Sequence, residues 1–125
     1  MGKGPAKILV VDDEILICEL LDEFLSMIGY QVTTTTKGQE AISKFEEINP
    51  DVVMLDIKMP KITGIEVLRK IKKINSDTIV IMLSAFGDSN IVRESLQIGA
   101  NYYMEKPIDL EGLKNILVTL QESKK

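Results

Sequence analysis

The 125-residue chain contains no histidine. That absence excludes Ser-His-Asp and Cys-His catalysis, most zinc sites, and any role as a phosphohistidine carrier. A single cysteine, Cys18, leaves no internal disulfide and fits a reducing, cytoplasmic setting. It falls inside an apolar helical pattern and reads as a packed, inert thiol. No apolar run approaches the roughly 20 residues that a membrane-crossing helix requires. The start, Met1-Gly2-Lys3-Gly4-Pro5, lacks the apolar stretch of a secretory signal, and residues 1–6 read as a flexible lead-in. Positive charge is also in deficit. A formal net charge of −4 argues against a nucleic-acid surface, which needs a dense basic patch to neutralise phosphates. Lys70, Lys72 and Lys73 cluster, but as a solvated helix face, and Lys124 and Lys125 belong to a frayed end at 123–125.

Apolar residues make up 45% of the chain and charged ones 27%, enough for one soluble core in a chain of single-domain length. Short β-rich runs alternate with helical patterns. Strands are predicted at Lys7–Val11, Gln31–Thr35, Asp51–Leu55, Thr78–Leu83 and Ala100–Met104. The first, third and fourth are nearly continuous apolar runs, the composition of strands covered by helices on both faces. The second is β-branched but polar, as suits a sheet edge. Helices are predicted near Glu14–Ile28, Gln39–Glu47, Gly64–Ile74, Ser89–Ile98 and Leu110–Gln121. In the first, Ile17, Leu20, Leu21, Phe24, Leu25 and Ile28 form the core stripe, with Gly29 as the C-terminal cap. Thr63 and Glu66 form a capping box, and Asp109 an N-cap. Five βα units with short right-handed crossovers give an α/β, doubly wound parallel sheet.

Ligands of such sheets bind beyond the carboxyl ends of the strands, where strand order reverses. Asp12 and Asp13 follow the first predicted strand, Asp56 the third, Ser84 the fourth, and Lys106-Pro107 the fifth. Each residue alone is an ordinary cap or turn. Together they place three carboxylates, a hydroxyl and an ammonium at one rim. Crowded carboxylates repel unless a cation joins them, and all-oxygen ligands select a hard ion such as Mg²⁺ or Mn²⁺. Lys106 would neutralise an arriving phosphoryl group, and Ser84 would donate a hydrogen bond to it.

From Ile8 to about Leu120 the chain resembles the receiver domains of two-component response regulators. The segments that carry the likeness are Ile8-Leu9-Val10-Val11-Asp12-Asp13-Glu14, Asp51-Val52-Val53-Met54-Leu55-Asp56-Ile57-Lys58-Met59-Pro60, Thr63-Gly64, Leu83-Ser84-Ala85 and Lys106-Pro107. The resemblance implies a flavodoxin-like (βα)5 domain over residues 7–122 with strand order 2-1-3-4-5. It implies that Asp56 is the phosphorylated nucleophile. Asp13, Asp56 and the Lys58 carbonyl would ligate the metal, Asp12 would act through water, and Ser84 and Lys106 would hold the phosphoryl oxygens. Lys106-Pro107 is expected to be a cis peptide, since cis bonds are nearly confined to X-Pro.

The same likeness implies a switch pair, Ser84 and Tyr103, with output through the fourth helix, fifth strand and fifth helix. Lys58 and Phe86 fall at positions that influence phosphoryl lifetime. Neither is suited to orient an attacking water, so self-dephosphorylation is expected to be slow. Ile15, Pro107 and Ile108 are expected to form an apolar docking patch for a sensor histidine kinase or a histidine phosphotransfer protein. Three rival readings are weighed. A haloacid-dehalogenase-like phosphatase needs an acid where Lys58 stands, and a flavin-binding carrier would be repelled by Asp12-Asp13-Glu14. The third, an unphosphorylated pseudo-receiver, usually lacks an essential residue. The chain would be a stand-alone regulator or part of a longer protein.

Overall fold

The computed structural model describes residues 6–85 and 87–123. The expectations about Met1–Pro5, Phe86, Lys124 and Lys125 fall outside the described residues. Five parallel strands, β1 (Lys7–Val11), β2 (Gln31–Thr35), β3 (Val52–Asp56), β4 (Ile79–Ser84) and β5 (Tyr102–Glu105), lie in the order β2-β1-β3-β4-β5. The helices are α1 (Ile15–Met27), α2 (Ala41–Ile48), α3 (Gly64–Ile74), α4 (Ser89–Ile98) and α5 (Leu110–Ser123), with a short 3₁₀ turn at Gly38–Glu40 ahead of α2. This is the doubly wound flavodoxin-like arrangement expected from the sequence. Among the described residues no helix is long and apolar enough to cross a membrane.

Strand alternation divides the interior in two. Leu9, Val11, Val53, Leu55, Val80 and Met82 fill one face of the sheet with Phe45, Val67, Leu68 and Ile71. Ile8, Val10, Val52, Met54, Ile79, Ile81 and Leu83 fill the other with Cys18, Leu21, Leu25, Leu113 and Leu117. Both faces of β1, β3 and β4 are therefore dry, which is why their sequences read as unbroken apolar runs. Of the outer strands, β5 is largely exposed and β2 mostly half-buried.

Several boundaries differ from the sequence prediction for identifiable reasons. On α1 the buried residues are Cys18, Leu21 and Leu25, whereas Leu20 is 40% exposed, one step off the inward stripe. Strand β5 starts two residues later than expected. The Ala100 amide closes α4 by donating to the Ser95 carbonyl, and the Asn101 side-chain oxygen accepts from the Val80 amide at 2.8 Å in place of a backbone ladder bond. Strands β3 and β4 each run one residue further than predicted, so that Asp56 and Ser84 end the strands instead of opening the loops.

The caps agree with the sequence. Thr63 and Glu66 form the reciprocal capping box of α3, and Asp109 Oδ1 accepts from the Gly112 amide at 3.1 Å at the start of α5. Gly29 follows α1 with φ +107°, a conformation that favours glycine. Gly64 is required for another reason: a Cβ there would overlap the Asp56 carbonyl and crowd Ile57 Cα. The missing side chain lets α3 begin directly against the end of β3. The Lys106-Pro107 bond is cis, as expected.

Candidate functional site

The parallel register sets the strand ends side by side. Val11 pairs with Leu55, and Asp56 pairs with Leu83, so the chain leaves β1, β3 and β4 at one level. Oxygens of Asp12, Asp13 and Asp56 all lie within 4.8 Å of one another. Asp12 and Asp56 are buried and Asp13 is exposed, so the cluster opens to solvent on the Asp13 side. Lys106 reaches in from the loop after β5. Its Nζ lies 2.8 Å from Asp12 Oδ2, 2.6 Å from Glu14 Oε1 and 3.6 Å from Asp56 Oδ2.

The remaining oxygens have defined partners. Asp12 Oδ1 accepts from the Glu14 amide at 2.9 Å, and Asp56 Oδ1 accepts from the Lys58 amide at 3.4 Å. Asp12 Oδ2 is buried, and its partner is the Lys106 ammonium at 2.8 Å.

These positions perturb the acids and the lysine. Burial, followed by the neighbouring Asp12 carboxylate, pushes the Asp56 carboxyl up from 3.8 to about 7, against the opposing pull of Lys106. Burial also raises Asp12, and Lys106 offsets part of that rise. Lys106 shows the reverse balance. Burial works to lower its pKa, but Asp12 and Glu14 outweigh it and the net shift is upward. One ammonium therefore stands against three clustered carboxylates, and the excess negative charge is what a hard cation would relieve. The all-oxygen donor set fits such an ion.

The remaining sequence-predicted residues are distributed around this cluster. The Ser84 hydroxyl donates to the Met104 carbonyl at 3.4 Å, and so faces β5. Tyr103, 44% exposed, stacks on Tyr102 with ring centroids 6.1 Å apart. It lines an open groove of about 520 Å³ with Ser84, Asp88 and Val92. Ile15 and Pro107 are exposed, but Ile108 is only partly so, because it packs against the α1–α5 core. The expected three-residue apolar patch is thus two exposed residues and one half-buried one. Cys18 is buried with its thiol pushed up to about 11 by burial, and its Sγ donates to the Asp12 carbonyl at 3.2 Å.

Two participants escaped the sequence reading as functional residues. Glu14 belongs to the acidic run after β1, but its contact with Lys106 depends on a residue 92 positions away. Asp88, which directly precedes α4, is not singled out by the sequence, yet it is buried and paired with Lys58 at 3.0 Å. No sequence signal distinguishes it from a cap.

Residues 8–118 match the response regulator receiver domain, and the chain belongs to this family. Sporulation initiation phosphotransferase F of Bacillus subtilis is 36% identical over 109 residues, spanning 87% of this chain and 88% of that protein. The chemotaxis protein CheY of Thermotoga maritima is also 36% identical, covering 86% and 88%. The probable transcriptional regulator ycf27 of Guillardia theta is 45% identical over 108 residues, but the match covers only 42% of that longer protein. The chain thus spans less than half the length of the transcriptional regulators it matches. Among solved structures, a response regulator receiver domain protein from Clostridium thermocellum superposes with a TM-score of 0.90 at 36% identity, covering 95% of this chain and 96% of that one.

Proposed function

We propose that this chain is a phosphoryl-accepting signalling switch in which Asp56 carries the phosphoryl group. The observation that supports it most is the convergence of the Asp12, Asp13 and Asp56 carboxylates on one another, with the Lys106 ammonium among them. A carboxylate oxygen of Asp56 attacks phosphorus, the bond from phosphorus to the donor's nitrogen or oxygen breaks, and the donor leaves with that electron pair. Asp13, Asp56 and the Lys58 carbonyl would hold Mg²⁺ or Mn²⁺, with Asp12 acting through water. That ion would supply positive charge to the crowded oxygens. Lys106 turns from Glu14 towards the phosphoryl oxygens, to which it contributes its charge. The Ser84 hydroxyl exchanges the Met104 carbonyl for a phosphoryl oxygen, and Tyr103 turns inward from its exposed position.

The donor would be a sensor histidine kinase or a histidine phosphotransfer protein, docking over Ile15 and Pro107 at the mouth of the cluster. A downstream effector would read the altered face formed by α4, β5 and α5. Lys58 and Phe86 would leave the attacking water without an acid or amide to orient it, and the phosphoryl group would be lost slowly. The pseudo-receiver reading finds no support, since Asp12, Asp13, Asp56, Ser84 and Lys106 are all present. Incubation with acetyl phosphate and Mg²⁺, followed by intact-mass spectrometry, tests the proposal. A single phosphoryl adduct that disappears in Asp56→Asn is expected, and an adduct that survives this substitution overturns the assignment.

A further inference from the structure

Asp88 stands at the N-cap position of α4, where an aspartate ordinarily accepts from the amides of the first turn. Its side chain makes no such bond. Instead Oδ2 turns back to accept from the Ala85 amide at 2.9 Å, and Oδ1 pairs with Lys58 Nζ at 3.0 Å. Thr63 caps α3 and Asp109 caps α5 with their own side chains, whereas Asp88, like Glu14 before α1 and Glu40 before α2, does not. The pair is also unequal, with the Asp88 side chain 5% exposed and the Lys58 side chain 66% exposed. Lys58, followed by the Ala85 amide, holds the Asp88 carboxyl below the usual carboxylate range despite burial. This contact ties the loop after β3 to the residues between β4 and α4.

We propose that the Lys58–Asp88 pair is a latch that holds the resting state, and that a phosphoryl group on Asp56 releases it by competing for the Lys58 ammonium. The inference rests on the phosphoacceptor reading and goes further by naming what the new charge acts on. Lys58 is two residues from Asp56, and its amide already donates to Asp56 Oδ1. The aspartyl phosphate carries about −1.5 to −2 charges where the carboxylate carried at most one, and so outweighs the single charge of Asp88. A long, solvated lysine side chain can re-aim at little cost. Once Lys58 is drawn away, the Asp88 carboxylate is buried without its cation. It then regains partners by turning onto the unused amides of Asn90 and Ile91, which caps α4. Asp88 is thus a positioning residue. The two settings differ in which end of the same short segment the carboxylate satisfies, and so they are discrete.

Beryllofluoride, a non-transferable phosphoryl mimic, and backbone amide NMR of the whole chain test the latch. Lys58→Met removes the ammonium but keeps the backbone carbonyl, while Asp88→Asn keeps an acceptor for Ala85 but removes the charge. In the resting protein both substitutions should move the Ala85, Asn90 and Ile91 amide resonances part of the way towards their beryllofluoride-bound positions. Asp88→Asn should tighten beryllofluoride binding about fivefold, the scale of one partly exposed ion pair, because it frees the ammonium that the mimic attracts. Lys58→Met loses that ammonium and should not share the gain, and the double variant should lose it too. Unmoved resonances in either single variant, or a double variant that keeps the full gain of Asp88→Asn, overturn the latch. Whether Lys58→Met and Asp88→Asn move the same resonances in the same direction is read without any mimic and decides the latch, whereas a wild type that binds no beryllofluoride strikes the phosphoacceptor reading instead.

Discussion

Replacing Asp56 by asparagine should make the metal-free domain more stable near neutral pH, although it removes the residue to which we assign the chemistry. The folded protein raises this carboxyl from 3.8 to about 7, chiefly by burial and then by the Asp12 charge beside it. A group whose folded pKa lies above its unfolded value binds more protons when folded. Its contribution is therefore fully present below about pH 4, is lost as pH rises towards 7, and stays lost above that. At about 1.36 kcal/mol per unit, the rise corresponds to a penalty of up to about 4 kcal/mol at pH 8. Asparagine carries no charge and keeps an acceptor for the Lys58 amide, but it weakens the 3.6 Å contact with Lys106. The net gain should be about 1–3 kcal/mol. Urea unfolding of both proteins in chelator, followed by circular dichroism, measures it directly. The advantage should shrink towards zero at pH 4. Added Mg²⁺ should narrow it at pH 8, because ligand binding stabilises only the protein that holds the ion. A variant no more stable than wild type at pH 8 in chelator, or one with the same advantage at both pH values, would refute the reasoning.

Gly64→Ala should cost about 2–4 kcal/mol in the same unfolding assay, because the new methyl overlaps the Asp56 backbone and the strand end has no room to withdraw. A cost under 1 kcal/mol would show that α3 can back away from β3. Cys18 should resist thiol reagents in the native state at pH 7.5, since its thiol titrates near 11 and its side chain is buried. Labelling should keep pace with unfolding in urea, and rapid labelling without denaturant would contradict the packing described for α1.

The residues at the rim were legible because each closes a local string: an apolar strand followed at once by an acid, a serine or Lys-Pro. The parallel sheet then makes those ends neighbours whatever the intervening helices contain. Leu20 was misplaced because helical periodicity identifies a stripe but not its width: Cys18, Leu21 and Leu25 are buried and Ile17, Phe24 and Ile28 pack beside them, while Leu20 falls outside. The start of β5 was misread because an asparagine side chain stood in for backbone pairing. The direction of the Ser84 hydroxyl and the diversion of Asp88 from capping both depend on partners from other segments. Short-range pattern carries no information about which of two nearby acceptors or donors a rotatable group will choose.

The division of the interior by the sheet has a bearing on how such a chain accumulates change. Val53 and Met54 are adjacent in sequence but face separate fillings, one shared with α3 and the other with α1 and α5. Substitutions on opposite sides have no common neighbours and should combine independently. Each side can thus drift in volume and be corrected by its own helices. Only the strand ends, where both compartments stop, must keep their positions through every such adjustment.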